Sequence, residues 1–354
     1  MPVDTLEGVR MERVVIVSAR IGAGHDGAAK ELARLLGERG TSSEVVDFLD
    51  LLPGRLGRIL CGAYHRQLQV APRSWDWLLG ALGSPGPASA AHRFAGLAVE
   101  NLADAVAGAQ LVVSTYPLAT LAAGRLRAQG RLAQGLVAYL TDPSVRRLCV
   151  SPWADLVVAP NALAAEQARA LGAVRTVVRQ PLVAPAFRPV AGAAEKALLR
   201  VAHGLPGDRA LALVVSGSWG VGEVERTVGD LRAEGTVEPV VVCGRNDALR
   251  HRLERAGVRQ VFGWVDDMAG LMRACDVVVQ NAGGLTTSEA LATGLPVLTY
   301  RCLPGHGRAN AAVLDQAGTV PWVRSPDALG AALHAALQPV PPVFDAIAPI
   351  EVAG

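Results

Sequence analysis

The sequence predicts an α/β protein made of two parallel sheets, each covered by helices on both faces. Three observations support this. Short β-branched strand candidates alternate with helical patterns along most of the chain, the pattern of strand–helix–strand crossovers. The alternation stops at a proline-rich stretch, Pro181–Pro189, and then restarts. At 354 residues the chain is longer than one compact domain usually runs. Two domains are therefore expected, 1–185 and 186–354.

In the first half, strands are expected at Arg13–Ser18, Ser43–Phe48, Leu111–Ser114, Leu136–Leu140, Leu156–Ala159 and Thr176–Arg179. Helical periodicity falls on Gly27–Arg39, Phe94–Ala107 and Ala162–Leu171. Beyond the prolines, strands are expected at Ala210–Ser216, Pro239–Cys243, Gln260–Phe262, Val277–Gln280 and Pro296–Tyr300. Val277, Val278 and Val279 form an apolar run without alternation, as in a strand buried on both faces. A short helix pattern, Asp327–Leu337, precedes the segment QPVPPV, which reads as an irregular tail. No internal repeat stands out.

Composition narrows the function classes. Hydrophobic residues make up 51% of the chain, enough for large cores. Net charge is only +2 and aromatic residues are 4%, so neither a basic nucleic-acid footprint nor a base-stacking surface is expected. The five cysteines are dispersed without metal-ligand spacing, which suggests reduced cytoplasmic thiols and no metal site. The first ten residues lack the charged and apolar regions of a signal peptide. No uncharged apolar run reaches the ~18 residues of a spanning helix. A cytoplasmic protein is expected, soluble or attached peripherally to the inner face of the membrane.

The run VVVQNAGGLTTSEALATG, from Val277 to Gly294, is the most informative chemically. It reads as a strand, a glycine turn at Gly283 and Gly284, and a helix with Glu289 in its first turn. Glycines let the backbone bend sharply and let a ligand approach closely. A helix N-terminus offers unpaired N–H groups and a partial positive charge, which suit a diphosphate. Glu289 could accept both hydroxyls of a ribose. Thr286-x-x-Glu289 also fits a capping box, in which Glu289 would bond only to the backbone.

A second loop follows the first strand. Gly22, Gly24 and Gly27 satisfy G-x-G-x-x-G, and Asp47 ends the next strand, as in a dinucleotide fold. A nicotinamide-dependent oxidoreductase is therefore a rival reading. Against it, His25 intrudes where a pyrophosphate would sit, the Glu289 turn could hold the nucleotide in the other half, and no hydride-transfer partners are evident. At a helix start the dipole keeps an imidazole neutral, and a neutral imidazole can take a proton from a hydroxyl. The bland alternative is that His25 caps the helix or orients a phosphate.

With both loops in view, the chain resembles the monogalactosyldiacylglycerol synthase family and its bacterial diglucosyl relatives. It is more distantly similar to the N-acetylglucosaminyltransferase that makes the peptidoglycan lipid precursor. The resemblance rests on SARIGAGH (18–25), STYPLA (114–119), TDPSVRRLCVSPWADL (141–156), VFGWVDDMAGLMRACDVVVQNAGGLTTSEALATGLPVL (261–298) and LPGHGRANAAVLDQAG (303–318). It implies the GT-B fold, two Rossmann-like domains facing across a cleft. It also implies an inverting, metal-independent transfer from a nucleotide sugar, usually a UDP-sugar, with no cofactor. On this resemblance His25 would be the base, and Phe262, Gly263, Trp264 and Val265 would hold the nucleobase. Gly283, Gly284 and Thr286 would meet the diphosphate, and Glu289 the ribose. His306 and Asn310 would face the sugar. Ser216 and Gly217 could add diphosphate donors, or form an ordinary strand–helix turn. Gly22, Gly24, Tyr116, Asp142 and Arg146 would line the acceptor side.

The chain also departs from the family pattern. His306-Gly307 stands where Gln-Glu is common, Arg146-Arg147 where His-Pro is common, and Tyr116 where His or Phe is usual. Donor sugar and acceptor therefore stay open, between a diacylglycerol-type lipid and a soluble small molecule. Leu51–Leu82 contains Arg55, Arg58, His65, Arg66 and Arg73 against one acid, Asp76; Leu52, Leu56, Ile59, Ala63 and Tyr64 recur near helical spacing, and Trp75 and Trp77 follow. Such a segment suits an anionic membrane surface, or a helix packed on the first sheet with its arginines in water.

Overall fold

The structure, a computed structural model, describes residues 12–70 and 90–338. Strands β1 (Arg13–Ser18), β2 (Ser42–Asp47), β3 (Leu111–Ser114), β4 (Gly135–Tyr139), β5 (Leu156–Ala159) and β6 (Thr176–Val178) form one sheet, ordered β2-β1-β3-β4-β5-β6. Strands β7 (Leu211–Val215), β8 (Glu238–Val242), β9 (Gln260–Phe262), β10 (Val277–Gln280), β11 (Val297–Tyr300) and β12 (Trp322–Val323) form another, ordered β12-β11-β10-β7-β8-β9. All pairings are parallel.

The first sheet is served by α1 (Ala23–Glu38), α2 (Leu56–Val70), α3 (Ala90–Gly96), α4 (Val99–Ala105), α5 (Pro117–Ala128) and α6 (Ala162–Ala170). The second is served by α7 (Ala193–Ala202), α8 (Val224–Glu234), α9 (Asp247–Arg255), α10 (Met268–Ala274), α11 (Gly284–Ala292), α12 (His306–Gln316) and α13 (Leu329–Leu337). Period-two alternation splits the central strands between two cores. Val15 and Val17 of β1 face one core while Val14 and Ile16 face the other. Ala212 and Val214 of β7 divide from Leu211, Leu213 and Val215 in the same way. Each such buried side chain contributes about 1.5–3 kcal/mol, so both sheets are held from both faces.

Topology locates the crevices. In the first sheet the chain passes from β1 to β2 on one side and returns for β3 on the other. The second sheet reverses in the same way between β7 and β10. Ligands in open parallel sheets bind beyond the C-terminal strand ends at such reversals. Between the halves, the Leu182 N–H donates to the Tyr139 hydroxyl of the first half at 2.9 Å, whereas Phe187 packs into the second half's core.

Several elements differ from expectation. Phe94–Ala107 is not one helix but α3 and α4, which break around Leu97, where Gly96 lies against the Arg125 guanidinium. α1 starts at Ala23, four residues before the expected start at Gly27. β12 was missed because two residues are too few for a periodic signal. The tail from Pro339 onward lies outside the described residues.

Candidate functional site

His25 is the third residue of α1, whose N-cap, Gly22, provides no side-chain cap. Its Nδ1 lies 2.7 Å from the Thr115 carbonyl oxygen and 2.9 Å from Thr141 Oγ1. A carbonyl only accepts, so Nδ1 carries the proton and Nε2 is left with its lone pair. Thr115 follows β3, and its hydroxyl donates to the His25 carbonyl at 3.2 Å. The Tyr116 ring meets the imidazole edge-on, with centroids 5.3 Å apart, and rests on Phe48 behind it. Burial pushes the His25 pKa below 6.5; Asp142 opposes that shift and Arg146 adds to it. The imidazole is therefore neutral near pH 7. It lines a small crevice together with Thr115, Tyr116, Tyr139, Thr141 and Ser144.

The second half meets this crevice at the loop between β10 and α11. The sharp bend there is made by Ala282, which sits at φ 75°, and not by the glycines. Gln280 Oε1 accepts from the Ala282 N–H and from the Gly283 N–H, the latter at 2.9 Å, and so holds the bend. Gly283 is extended at φ −73° and Gly284 is already helical. What Gly284 needs is space. A Cβ there would lie 2.5 Å from the Thr141 carbonyl oxygen and 3.0 Å from Asp142 Oδ1. Gly27 is similar, since a Cβ would lie 3.2 Å from Leu285 Cδ2. Gly24 faces Leu285 at 3.6 Å, and Gly22 has open space. Gly24 and Gly27 thus let α1 approach Leu285 of α11, and Gly284 lets α11 approach Thr141 and Asp142, across the cleft.

Glu289 falls in the second turn of α11, not the first. Thr286 is inside the helix and Gly283 is the N-cap, so the capping box does not form. Glu289 has no hydrogen bond or ion pair among the described residues. Burial alone raises its pKa from 4.5 to about 8. A half-buried carboxyl without a partner is costly to ionise.

Asn310 on α12 does not offer its amide to the cleft. It has no accessible surface. Its Oδ1 accepts from Ser144 N at 3.2 Å and Ser144 Oγ at 2.5 Å. Its Nδ2 donates to the Ala282 carbonyl at 3.1 Å and to Asp142 Oδ1 at 3.3 Å. No capacity remains for a sugar in this arrangement. His306, the first residue of α12, is partly exposed beside Gly305.

The remaining expected residues lie along the same strand ends. Ser216 follows β7 with its hydroxyl buried and unpartnered, and Gly217 turns at φ 73°. Phe262 ends β9 and Gly263, Trp264 and Val265 follow it, three strands from β10, roughly 14 Å away at the usual strand spacing. Trp264 is 52% exposed, with the Arg245 guanidinium 4.7 Å from its ring centroid. Arg146 has one guanidinium nitrogen, Nη1, buried without a hydrogen-bond partner. Asp47, the acid a dinucleotide site would need, is occupied by Arg20 at 3.0 Å and by the Leu49 N–H at 2.8 Å. Thr115, Thr141, Ser144 and Gln280 escaped sequence reading as site residues, although they lie within the motifs quoted above. Short hydroxyl and amide side chains give no periodic signal.

Helix α2 divides its surface. Leu51 and Leu52 before it are buried, Leu56 and Leu60 pack on the core, and Arg55, Arg58 and Ile59 are exposed. The side chains of Tyr64, His65 and Arg66 and all of Arg73, Trp75, Asp76 and Trp77 lie outside the described residues. No described helix is long and apolar enough to cross a membrane.

No family model matches the chain. A processive diacylglycerol beta-glucosyltransferase of Bacillus mycoides is 31% identical over 137 residues, 37% of this chain and 35% of that protein. The protein of the same name from Bacillus cereus is 23% identical over 343 residues, 93% of this chain and 87% of its own length. Among solved structures, MurG of Acinetobacter baumannii superposes with a TM-score of 0.56 at 15% identity, over 92% of this chain and 91% of its own. Anabaena Alr3699/HepE in complex with UDP and glucose gives 0.55 at 15% identity, over 93% and 90%. The chain has the GT-B fold of these glycosyltransferases and is similar in sequence to the processive diacylglycerol beta-glucosyltransferases.

Proposed function

We propose that the chain moves a sugar from a UDP-sugar to the hydroxyl of a diacylglycerol-type lipid, with inversion and without a metal ion. One observation carries this reading. An imidazole with Nδ1 pinned and Nε2 free sits on α1 where that helix approaches the start of α11, the helix that carries an unpartnered carboxyl. In the proposed step the acceptor O–H gives its proton to His25 Nε2 as its oxygen attacks the anomeric carbon. The bond from that carbon to the diphosphate oxygen breaks, and UDP leaves. Backbone N–H groups of the first turn of α11, from Gly284 on, and the α11 dipole stabilise the charge gathering on the diphosphate, with Gly283 bordering it. Glu289 takes the ribose hydroxyls, Ser216 and Gly217 flank the phosphates, and the nucleobase lies at Phe262–Val265. Tyr116, Asp142 and Arg146 shape the acceptor side. The first unit ends near Pro185 in this reading.

The names of the relatives support a lipid acceptor, and the UDP complex of a structural neighbour supports the donor. The exposed Arg55, Arg58 and Ile59 would meet an anionic cytoplasmic membrane surface. A soluble acceptor is the second reading, favoured by the burial of Leu51 and Leu52 and the core packing of Leu56 and Leu60. Incubating the protein with UDP-sugars and either diacylglycerol vesicles or soluble alcohols separates the two. Glycolipid formation is expected; transfer to soluble alcohols alone would overturn the lipid assignment.

A further inference from the structure

We propose that Asn310 is a positioning residue that locks the donor loop and the acceptor-side loop into one register. The inference rests on the glycosyl-transfer reading above but concerns a contact that reading does not use. Asn310 spends both donors and both acceptor lone pairs on protein, and the bonds to Ser144 and Asp142 cross the cleft while the bond to Ala282 stays on its own side. On the donor side it holds the carbonyl of Ala282, whose left-handed backbone shapes the entry to α11. Gln280 holds the N–H of the same residue. A non-glycine residue at positive φ is strained and persists only where its surroundings fix it from both sides. On the acceptor side Asn310 grips Ser144 and Asp142. Four residues span that loop, and its other end, Thr141, contacts His25 Nδ1. One amide thus links the bend that presents the α11 N-terminus to the loop that orients the base.

The consequence is that the base is aligned when the donor loop is seated and the halves are closed. Loss of the amide leaves both loops folded but frees their relative position. A shift of about 1 Å in reacting groups can cost on the order of a hundredfold in rate.

Asn310→Ala, Ser144→Ala and the double variant test this in the full chain. Asn310→Ala should lower kcat between roughly ten- and a hundredfold, while UDP affinity changes by no more than about threefold. Ser144→Ala should lose in the same direction, and the double variant should be little worse than Asn310→Ala, because both remove one linkage. Hydrogen exchange should quicken together at residues 141–144 and 282–286 in each variant. Additive losses, or exchange that quickens on one side of the cleft only, would overturn the proposal. The exchange result stands apart from activity. If the wild type neither binds nor uses a UDP-sugar, the function reading fails, and coupled exchange still decides the latch.

Discussion

At the residue scale, burial shifts two titratable groups, one in each half, away from their ordinary behaviour. His25 is held below 6.5, and Glu289 is raised to about 8. A base whose pKa is lowered stays competent as pH falls, so the acidic limb of kcat/KM is expected below pH 6.5. A limb above 6.5 would argue against His25. His25→Ala should cut turnover about 10²–10⁴-fold with UDP affinity unchanged, measured by transfer assay and calorimetry side by side. For Glu289 the sign runs the other way. The bound proton stabilises the fold fully below about 4.5, and that stability is lost as pH rises through about 8. Glu289→Gln should therefore raise the melting temperature of the ligand-free protein at pH 9 and leave it little changed at pH 4.5. Equal effects at both would show that the carboxyl is solvated.

At the element scale, strands were legible and glycines were misread. Buried runs such as Val277–Gln280 and Leu156–Ala159 announce themselves through continuous β-branched residues, and both bounds match. The glycines of 22–27 and 283–284 look like turn-formers in sequence, yet α1 and α11 begin among them. For Gly24, Gly27 and Gly284 the reason for being small lies in the other half of the molecule, far away in sequence, which no local pattern encodes. Gly284→Val should force Thr141 and α11 apart, and is expected to reduce turnover and loosen hydrogen exchange at both elements. Normal activity in that variant would mean the close contact is incidental. Helix α2 shows a similar limit, because its arginines are visible in sequence but the packing of Leu56 and Leu60 is not. Replacing Arg55 and Arg58 by Ala should weaken co-sedimentation with anionic vesicles by about 2 kcal/mol, or roughly thirtyfold, at low salt. Unchanged binding would detach α2 from the membrane.

At the scale of the whole molecule, the two halves repeat one device. β1 ends in a serine and β7 is followed by one, and each runs into S-x-x-x-G-x-G, at Ser18–Gly24 and at Ser216–Gly222. Both serine hydroxyls are buried without a partner. The next residue is His25 in one half and Glu223 in the other, so the shared scaffold carries different chemistry. Seven loosely matched residues are too short a repeat to notice before the strands are aligned. Function was more legible than ligand chemistry for a similar reason. The motifs fix backbone loops, whereas departures such as His306-Gly307 and Arg146-Arg147 concern the side chains that would read sugar and acceptor. Asn310, expected at the sugar, turns out to join the halves, a role that depends on the Ser144 loop alongside it.

The central claim is that the second half grips a nucleoside diphosphate at the start of α11, with Glu289 on the ribose. Calorimetric titration of UDP into the wild type and into Glu289→Ala tests it most directly. Saturable binding is expected, weakened in the variant by about 1–3 kcal/mol, or five- to 150-fold in Kd. Equal affinity in the two proteins, or no heat from either at millimolar UDP, would contradict it.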